Sequence, residues 1–501
     1  MSETKDNSEI LLEYTDNGES LKEKTKHGML WSVIDRFGTQ GLQFVFGVIL
    51  ARLLSPNDYG IIAMPLVFLG IAQCFIDSGF SSALIRKTKL TQADLSTAFY
   101  FNIIVGVVCY LLLFIASPWI ADFYDTPILE DLLKFTALAT LFNPLCTVQT
   151  VLLTRKIDFK KQAKISFISA VTSGAVGIYL AYNGYGVWSL VFQQVAGSCL
   201  RVILLWVESK WRPAAIWSKC SFHYLWNFGS KMLASSLLAV IYENIYPIVI
   251  GKFYTPSDLG NFTRAHQFSK LPSTNITGVL QRVTFPVLSE MQNDDRRLER
   301  NYRKIIKAAG FIVFPLMAGL SAVSEPMVKV LLGEQWLGCI IFLQIVCFDY
   351  LWYPIHAINL NLLQVKGRSD FFLKLEVWKK ILGAALMAIA IPQGPLWMIS
   401  LGAVGSILAL IINTYYTGKL INVGFIKQIK DLLPTLLLSM IMWTVIMLIN
   451  EIGIDDLVLL IVDIIIGGII YISLSCFFQR EVLLSVMEMT PLKKYLNRNC
   501  S

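Results

Sequence analysis

Ala51-Arg52-Leu53-Leu54-Ser55-Pro56-Asn57-Asp58-Tyr59-Gly60 and Gly251-Lys252-Phe253-Tyr254-Thr255-Pro256-Ser257-Asp258-Leu259-Gly260 are two copies of one pattern. It runs small, basic, two apolar or aromatic residues, Ser or Thr, Pro, small polar, Asp, apolar, Gly. A second pair reinforces it: Pro144 with Leu152, Leu153 and Lys156 returns as Pro354 with Leu362, Leu363 and Lys366. The copies lie about 200 and about 210 residues apart, so the chain reads as two related halves. Within each ten-residue copy Pro fixes φ, and Asp58 or Asp258 is placed to cap the helix that follows. The pattern therefore predicts an interhelical turn that ends one long segment and starts the next.

Those long segments are apolar. Runs able to cross a bilayer fall near 29–54, 58–85, 93–120, 127–153, 162–183, 186–208, 224–251, 257–288, 305–326, 337–363, 372–392, 395–418, 431–450 and 456–478. They are too long and continuous for barrel strands, and lipid admits only helices or closed barrels. The prediction is an all-α polytopic membrane protein of about fourteen transmembrane helices. An even number of spans separates the motif copies, so the halves are related by an axis along the membrane normal. The expected organisation is a disordered cytoplasmic tail at 1–26, an N-lobe of six helices at 27–210, and a C-lobe of six at 211–421. Two peripheral helices follow at 422–480, and a second cytoplasmic tail at 481–501.

Loop charge fixes the direction of each crossing. Alternate loops carry Arg86, Lys87 and Lys89; Lys156, Lys160 and Lys161; Lys210, Arg212 and Lys219; Arg296, Arg297, Arg300 and Arg303; Lys366 and Arg368; Lys419, Lys427 and Lys430; then Lys493, Lys494 and Arg498. The loops between them hold Arg52, Lys252 and Lys329 but otherwise Asp122, Asp125, Glu334, Glu451, Asp455 and Asp456. Basic loops stay cytoplasmic, so both termini are expected on that side.

The bulk composition agrees. The 501 residues are 55% hydrophobic and 16% charged, with a mean hydropathy of +0.58, whereas soluble domains are about a quarter charged. The formal net charge of +8 tracks short loops and so describes membrane topology, with no nucleic acid partner. Cys74, Cys109, Cys146, Cys199, Cys220, Cys339, Cys347, Cys476 and Cys500 are scattered with no CxxC pair. That excludes a disulfide framework or a metal knuckle. Residues 1–26 lack the apolar centre of a signal peptide.

Against this background the segment from Arg264 to Arg282 stands out. At about 100° per residue, Arg264, Gln267, Lys270, Thr274, Asn275, Gly278, Gln281 and Arg282 gather into one sector. Phe262, Ala265, Phe268, Ile276, Val279, Leu280 and Val283 fill the opposite one. The helix climbs roughly 27 Å from Arg264 to Arg282, close to the hydrocarbon thickness of about 30 Å. Aligning the motif copies sets Arg264, His266 and Lys270 against Met64, Leu66 and Gly70, so the basic face belongs to one lobe only. Narrower polar stripes occur on the first span, with Ser32, Arg36, Gln40 and Gln43, and on the seventh, with Asn227, Lys231, Ser235 and Tyr242. Asp35, Asp77, Glu243, Asp349 and His356 complete the ionisable groups read as coupling-ion candidates, because charges at mid-bilayer usually face a cavity. No catalytic constellation, cofactor-binding motif or metal-ligand spacing is present. His266 and His356 are isolated, and there is neither a Gly-rich phosphate loop nor an HExxH or GxSxG.

The run Leu259-Gly260-Asn261-Phe262-Thr263-Arg264-Ala265, then Leu271-Pro272, Phe285-Pro286-Val287-Leu288-Ser289 and Gln292-Asn293-Asp294, resembles the eighth-helix signature of bacterial polysaccharide flippases. Ile250-Gly251-Lys252, Glu325-Pro326 and Leu331-Leu332-Gly333-Glu334-Gln335-Trp336 are similar to the same pattern. The resemblance is to the colanic-acid and teichuronic-acid exporter type of the multidrug/oligosaccharidyl-lipid/polysaccharide exporter superfamily. It implies two lobes of six helices rocking about a central cavity. It further implies movement of undecaprenyl-pyrophosphate-linked oligosaccharide between leaflets of the bacterial cytoplasmic membrane for surface polysaccharide synthesis, alongside polymerase machinery. Arg264, Lys270, Arg36 and Arg282, with Gln267, Asn275, Gln43 and Lys231, are then the residues expected to meet pyrophosphate and glycan. Two other classes compete: an ion-coupled multidrug exporter of the same superfamily, and a membrane-embedded glycan polymerase or transferase. A cationic lumen disfavours organic cations, and short loops disfavour the enzyme.

Overall fold

The computed structural model describes residues 21–489, and these are helical almost throughout. The chain begins with α1 (Leu21–Leu53), α2 (Pro56–Asp77), α3 (Phe80–Arg86), α4 (Gln92–Phe123), α5 (Leu129–Thr136) and α6 (Ala139–Arg155). It continues through α7 (Phe159–Tyr182), α8 (Trp188–Glu208), α9 (Lys219–Glu243), α10 (Ile245–Phe253) and α11 (Pro256–Glu290). Then come α12 (Asp295–Ala322), α13 (Ser324–Leu331), α14 (Gly338–Leu351), α15 (Tyr353–Val365) and α16 (Ser369–Ala390). The last four are α17 (Pro395–Ile421), α18 (Phe425–Ile449), α19 (Asp456–Phe478) and α20 (Arg480–Met489). The expected tail at 1–26 lies mostly outside the described residues, as does the end of the 481–501 tail.

The all-α reading holds, and the protein is a multi-pass membrane protein. Ten helical stretches are long and apolar enough to cross, and the bent pair α9–α10, broken by 42°, makes an eleventh. The others the sequence suggests, α1, α11 and α16, are as long but more polar. They carry Asp35 and Arg36, Arg264 and Lys270, and Lys374, Glu376, Lys379 and Lys380 respectively. Composition thus supports ten or eleven spans, and a count of fourteen depends on these three polar helices.

Contacts divide the chain into two compact units, one ending at Gly260 and one beginning at Asn261. In the first, α1 packs on α7, α7 on α8, and α4 on α6. Its core gathers Phe80, Leu84, Leu95, Phe99, Val148, Val151 and Leu225. In the second, α12 packs on α18 and α14, α16 on α17, and α19 on α13 and α18.

The repeated motif adopts the same local structure twice. Ser55 caps α2: the Asp58 backbone N–H donates to its Oγ at 3.3 Å, and its own N–H donates to Asp58 Oδ2 at 2.9 Å. Thr255 and Asp258 repeat this at 3.1 and 3.2 Å. The hydroxyl residue is therefore the cap and the Asp its third-position partner in a capping box, a refinement of the role read from sequence. The second repeated pair also matches. Helices α6 and α15 both end in a Schellman turn, with Ile157 at φ 56° and Gly367 at φ 66° in the left-handed position. The closing bonds run from Asp158 N–H to Leu153 O at 3.0 Å, and from Arg368 N–H to Leu363 O at 2.8 Å.

The copies also meet. A Cβ on Gly60 would fall inside the Pro256 carbonyl, and one on Gly260 inside the Pro56 carbonyl. Each motif glycine lets the first turn of the other copy's helix approach to backbone contact, as small residues do where membrane helices pack closely.

Candidate functional site

Helix α11 is launched by the Thr255–Asp258 box and stays helical through Pro272, which has no N–H to give to the helical ladder. Its packed face overlaps the apolar sector only at its edge and is made mainly of small hydroxyl residues that neither sector included. Ala265, Ser269, Ser273 and Thr277 are buried. Ser269 Oγ lies 3.3 Å from Cys347 Sγ, and the Ser273 hydroxyl donates to the Tyr350 carbonyl at 2.8 Å. Val279 and Val283, from the apolar sector, are instead 59% and 62% exposed. A helix that seats small hydroxyl residues on its neighbours and turns Val outward is built for lipid, because lipid gives apolar side chains no reason to hide.

Beside that packed face runs the polar row. Arg264 is 7% exposed. Its Nη1 donates to Gln267 Oε1 at 2.8 Å, and its guanidinium stands 6.0 Å from the ring centre of the fully buried Trp336. An arginine stacked on indole and steered by a carboxamide keeps its charge at low hydration, which favours an incoming anion. Gln267 and Arg282 are exposed, and Lys270 and Asn275 half-buried. Gln281 Nε2 reaches Asn361 Oδ1 at 3.4 Å, and His266 Nε2 lies 2.9 Å from the Tyr350 hydroxyl. The structure thus draws Arg264 into the protein and leaves Lys270 and Arg282 more open.

The remaining predicted residues are dispersed over the first unit or gathered at one place in the second. On α1, Arg36 and Gln43 are exposed, while Asp35 accepts from Thr39 Oγ1 at 3.3 Å. Asp35 lines an α1–α7 groove of 350 Å³ with Trp31, Thr39, Lys160, Lys164 and Phe167. On α9, Lys231 is exposed. Glu243 closes that helix at the 42° break. Pro247 explains the break, since its ring meets the carbonyl four residues back, that of Glu243. Asp77 ends α2 and accepts from Ser81 Oγ at 2.5 Å.

Asp349 and His356 come together through residues the sequence reading missed. Asn413 Nδ2 donates to His356 Nδ1 at 2.9 Å, and Ser406 Oγ lies 3.2 Å from His356 Nε2. An amide nitrogen only donates, so Nδ1 is the acceptor and Nε2 carries the proton in this neutral tautomer. Ser406 also lies beside Asp349. One turn further, Asn359 and Gln428 exchange amide bonds at 3.0 Å, and Thr417 Oγ1 donates to Asn359 Oδ1 at 2.7 Å. Ser406, Asn413 and Thr417 share one face of α17, a polar stripe in an otherwise apolar span that periodicity could have revealed.

Known proteins resemble this chain over most of its length. Residues 49–341 match the family described as Polysaccharide biosynthesis protein. The lipopolysaccharide biosynthesis protein WzxC of Escherichia coli is 27% identical over 369 residues, 72% of this chain and 74% of that one. The teichuronic acid biosynthesis protein TuaB of Bacillus subtilis is 24% identical over 423 residues, 84% and 88% of the two chains. The succinoglycan biosynthesis transport protein ExoT of Rhizobium meliloti is 28% identical over 306 residues, 61% and 62%. Among solved structures, the lipid II flippase MurJ in an inward closed conformation superimposes with a TM-score of 0.73 at 19% identity, covering 91% of this chain and 100% of that one. An inward-facing multidrug MATE family transporter gives 0.55 at 14%, covering 78% and 98%. The fold is therefore that of these transporters.

Proposed function

We propose a function for this chain from the premise that it belongs to the polysaccharide biosynthesis protein family: it is a flippase for lipid-linked oligosaccharide. Polyprenyl-pyrophosphate-linked repeat units move from the cytoplasmic to the outer leaflet of the bacterial inner membrane, both termini lying on the cytoplasmic side. Alternating access between two lobes carries them, and the polymerase machinery that consumes the product is the natural partner. Relatives named for lipopolysaccharide, teichuronic acid and succinoglycan synthesis support this class of cargo.

The observation that carries the reading is the polar row on α11. A pyrophosphate crossing the membrane must exchange water for something of equal polarity. Arg264, pre-oriented by Gln267 and Trp336, and Lys270 two turns from it supply charge-assisted hydrogen bonds in a low-dielectric setting. Asn275 and Arg282 extend the polar path on α11 available to sugar hydroxyls, and Arg36, Gln43 and Lys231 give the first unit polar stripes of its own. Of the coupling candidates, Asp349 and His356 fit the role best, because Ser406 of α17 lies beside both.

The test replaces Arg264 and Lys270 together by Ala and measures surface polysaccharide at equal protein abundance. Losing two charge-assisted bonds of about 1.5–3 kcal/mol each predicts a fall of at least tenfold. Unchanged export would remove these residues from the substrate path, and restored drug sensitivity with intact polysaccharide in cells lacking the protein would make it a drug exporter.

A further inference from the structure

The first three turns of α12 carry a cluster that the α11 row does not use. Arg296, Glu299, Arg300, Arg303, Lys304 and Lys307 line an open cleft of 400 Å³. The bases recur at every turn along the helix, with Arg296, Arg300 and Lys304 four residues apart and all three exposed. Leu298, Tyr302, Ile305 and Ile306 are buried on the opposite side. Like charges four apart repel along a helix, so this row is unfavourable until an anion lies beside it.

The back of the cleft is rigid. Asp431 of α18 is buried and accepts from Arg303 Nε and Nη2 at 2.6 and 2.8 Å, and from Lys307 Nζ at 3.1 Å. One carboxylate thus holds two bases. Glu299, the remaining acid in the cleft, is 3.5 Å from Lys427. Among the described residues, Arg296, Arg300 and Lys304 form no ion pair. The row spans about 12 Å along the helix axis, enough to run from the aqueous surface through the headgroup layer. Beyond Asp431, α18 turns Leu433, Leu437 and Ile441 outward, 43%, 52% and 49% exposed. Charge at the surface and bare apolar side chains deeper in the bilayer match the two halves of an amphiphile.

We propose that this basic cleft along α12 binds the phosphate headgroup of an anionic phospholipid in the leaflet where α12 begins, with Arg296, Arg300 and Lys304 as its ligands. The lipid neutralises the repelling row. Its residues are none of those on the α11 row proposed for the lipid-linked cargo. The cleft opens instead beside α18, one of the two helices outside the repeat.

The test uses the full-length protein in nanodiscs of phosphatidylcholine with or without phosphatidylglycerol, with retained lipid counted by native mass spectrometry and the thermal midpoint recorded. Basic residues near an anionic surface contribute roughly fivefold each. Wild type should therefore retain phosphatidylglycerol over phosphatidylcholine by at least about tenfold. The variant carrying Arg296→Gln, Arg300→Gln and Lys304→Gln should lose that preference while keeping its midpoint in pure phosphatidylcholine. Equal retention of both lipids by wild type, or an undiminished preference in the variant, overturns the proposal. So does stabilisation by free glycerol phosphate equal to that by the lipid, which would make the occupant a soluble phosphate. Loss of polyprenyl pyrophosphate binding in the variant, with phosphatidylglycerol retained as before, would reassign the cleft to the cargo and also overturn it.

Discussion

Helices α2 and α11 start alike and end as opposites. Each opens with a hydroxyl–Asp capping box, a first-turn proline and a glycine that admits the other copy's backbone. Four residues after that glycine the sequences part. Met64 on α2 and Arg264 on α11 are both buried, at 1% and 7% exposure. The same turn therefore delivers a thioether into one core and a guanidinium into the other. Burying arginine costs several kcal/mol unless partners replace its water. Gln267 and Trp336 are those partners, and α2 has no need of their equivalents. Local turn chemistry sets where the two helices go, and the side chains that follow set what each one does.

The largest expected effect comes from breaking what the helices share. Gly60→Ala combined with Gly260→Ala forces a methyl into two backbone carbonyls that cannot rotate away. The loss should reach about 3 kcal/mol or more, read as a lowered thermal midpoint in detergent or as failure to accumulate. Wild-type stability in that variant would show that the close approach is dispensable.

Next is the difference between them. Arg264→Met makes α11 resemble α2 at the aligned position, leaving Gln267 without its donor while filling much of the space. Stability should change by less than about 1.5 kcal/mol, since replacing a buried charge by an apolar side chain is often neutral. Polysaccharide export should still fall by about tenfold, the equivalent of one lost charge-assisted bond. A folded variant with normal export would reduce Arg264 to a packing residue.

How much of this was legible beforehand follows from the range of each interaction. The repeat was readable because capping and Schellman turns are decided by residues within one or two turns of each other. The α11 row was readable because helical periodicity needs no partner. The burial of Arg264 was not, since it depends on Trp336, far along the chain. The packed face of Ser269, Ser273 and Thr277 escaped notice because small hydroxyl residues barely disturb hydropathy. The link from Asp349 through Ser406 to His356 was hidden because α14, α15 and α17 must first be brought together.

A finer difference separates the second repeated pair. Both copies use the left-handed position, yet one holds Ile157 and the other Gly367. Gly367→Ala meets open space, so its cost is backbone strain alone, about 1–2 kcal/mol of unfolding free energy. Ile157→Gly relieves the same strain but loses side-chain packing and gains unfolded-state entropy, so its net effect should stay within about 1 kcal/mol of zero. Equal destabilisation by both would mean that the turns are not equivalent.

The most direct test of the central claim is the affinity of the purified full-length protein for polyprenyl-pyrophosphate-linked oligosaccharide, wild type against Lys270→Gln, at two salt concentrations. Lys270 is half-buried on the polar row, and glutamine keeps its length and polarity while removing its charge. The account predicts binding weakened by about tenfold, with a reduced dependence on salt. Affinity within twofold of wild type at both salt concentrations would contradict it.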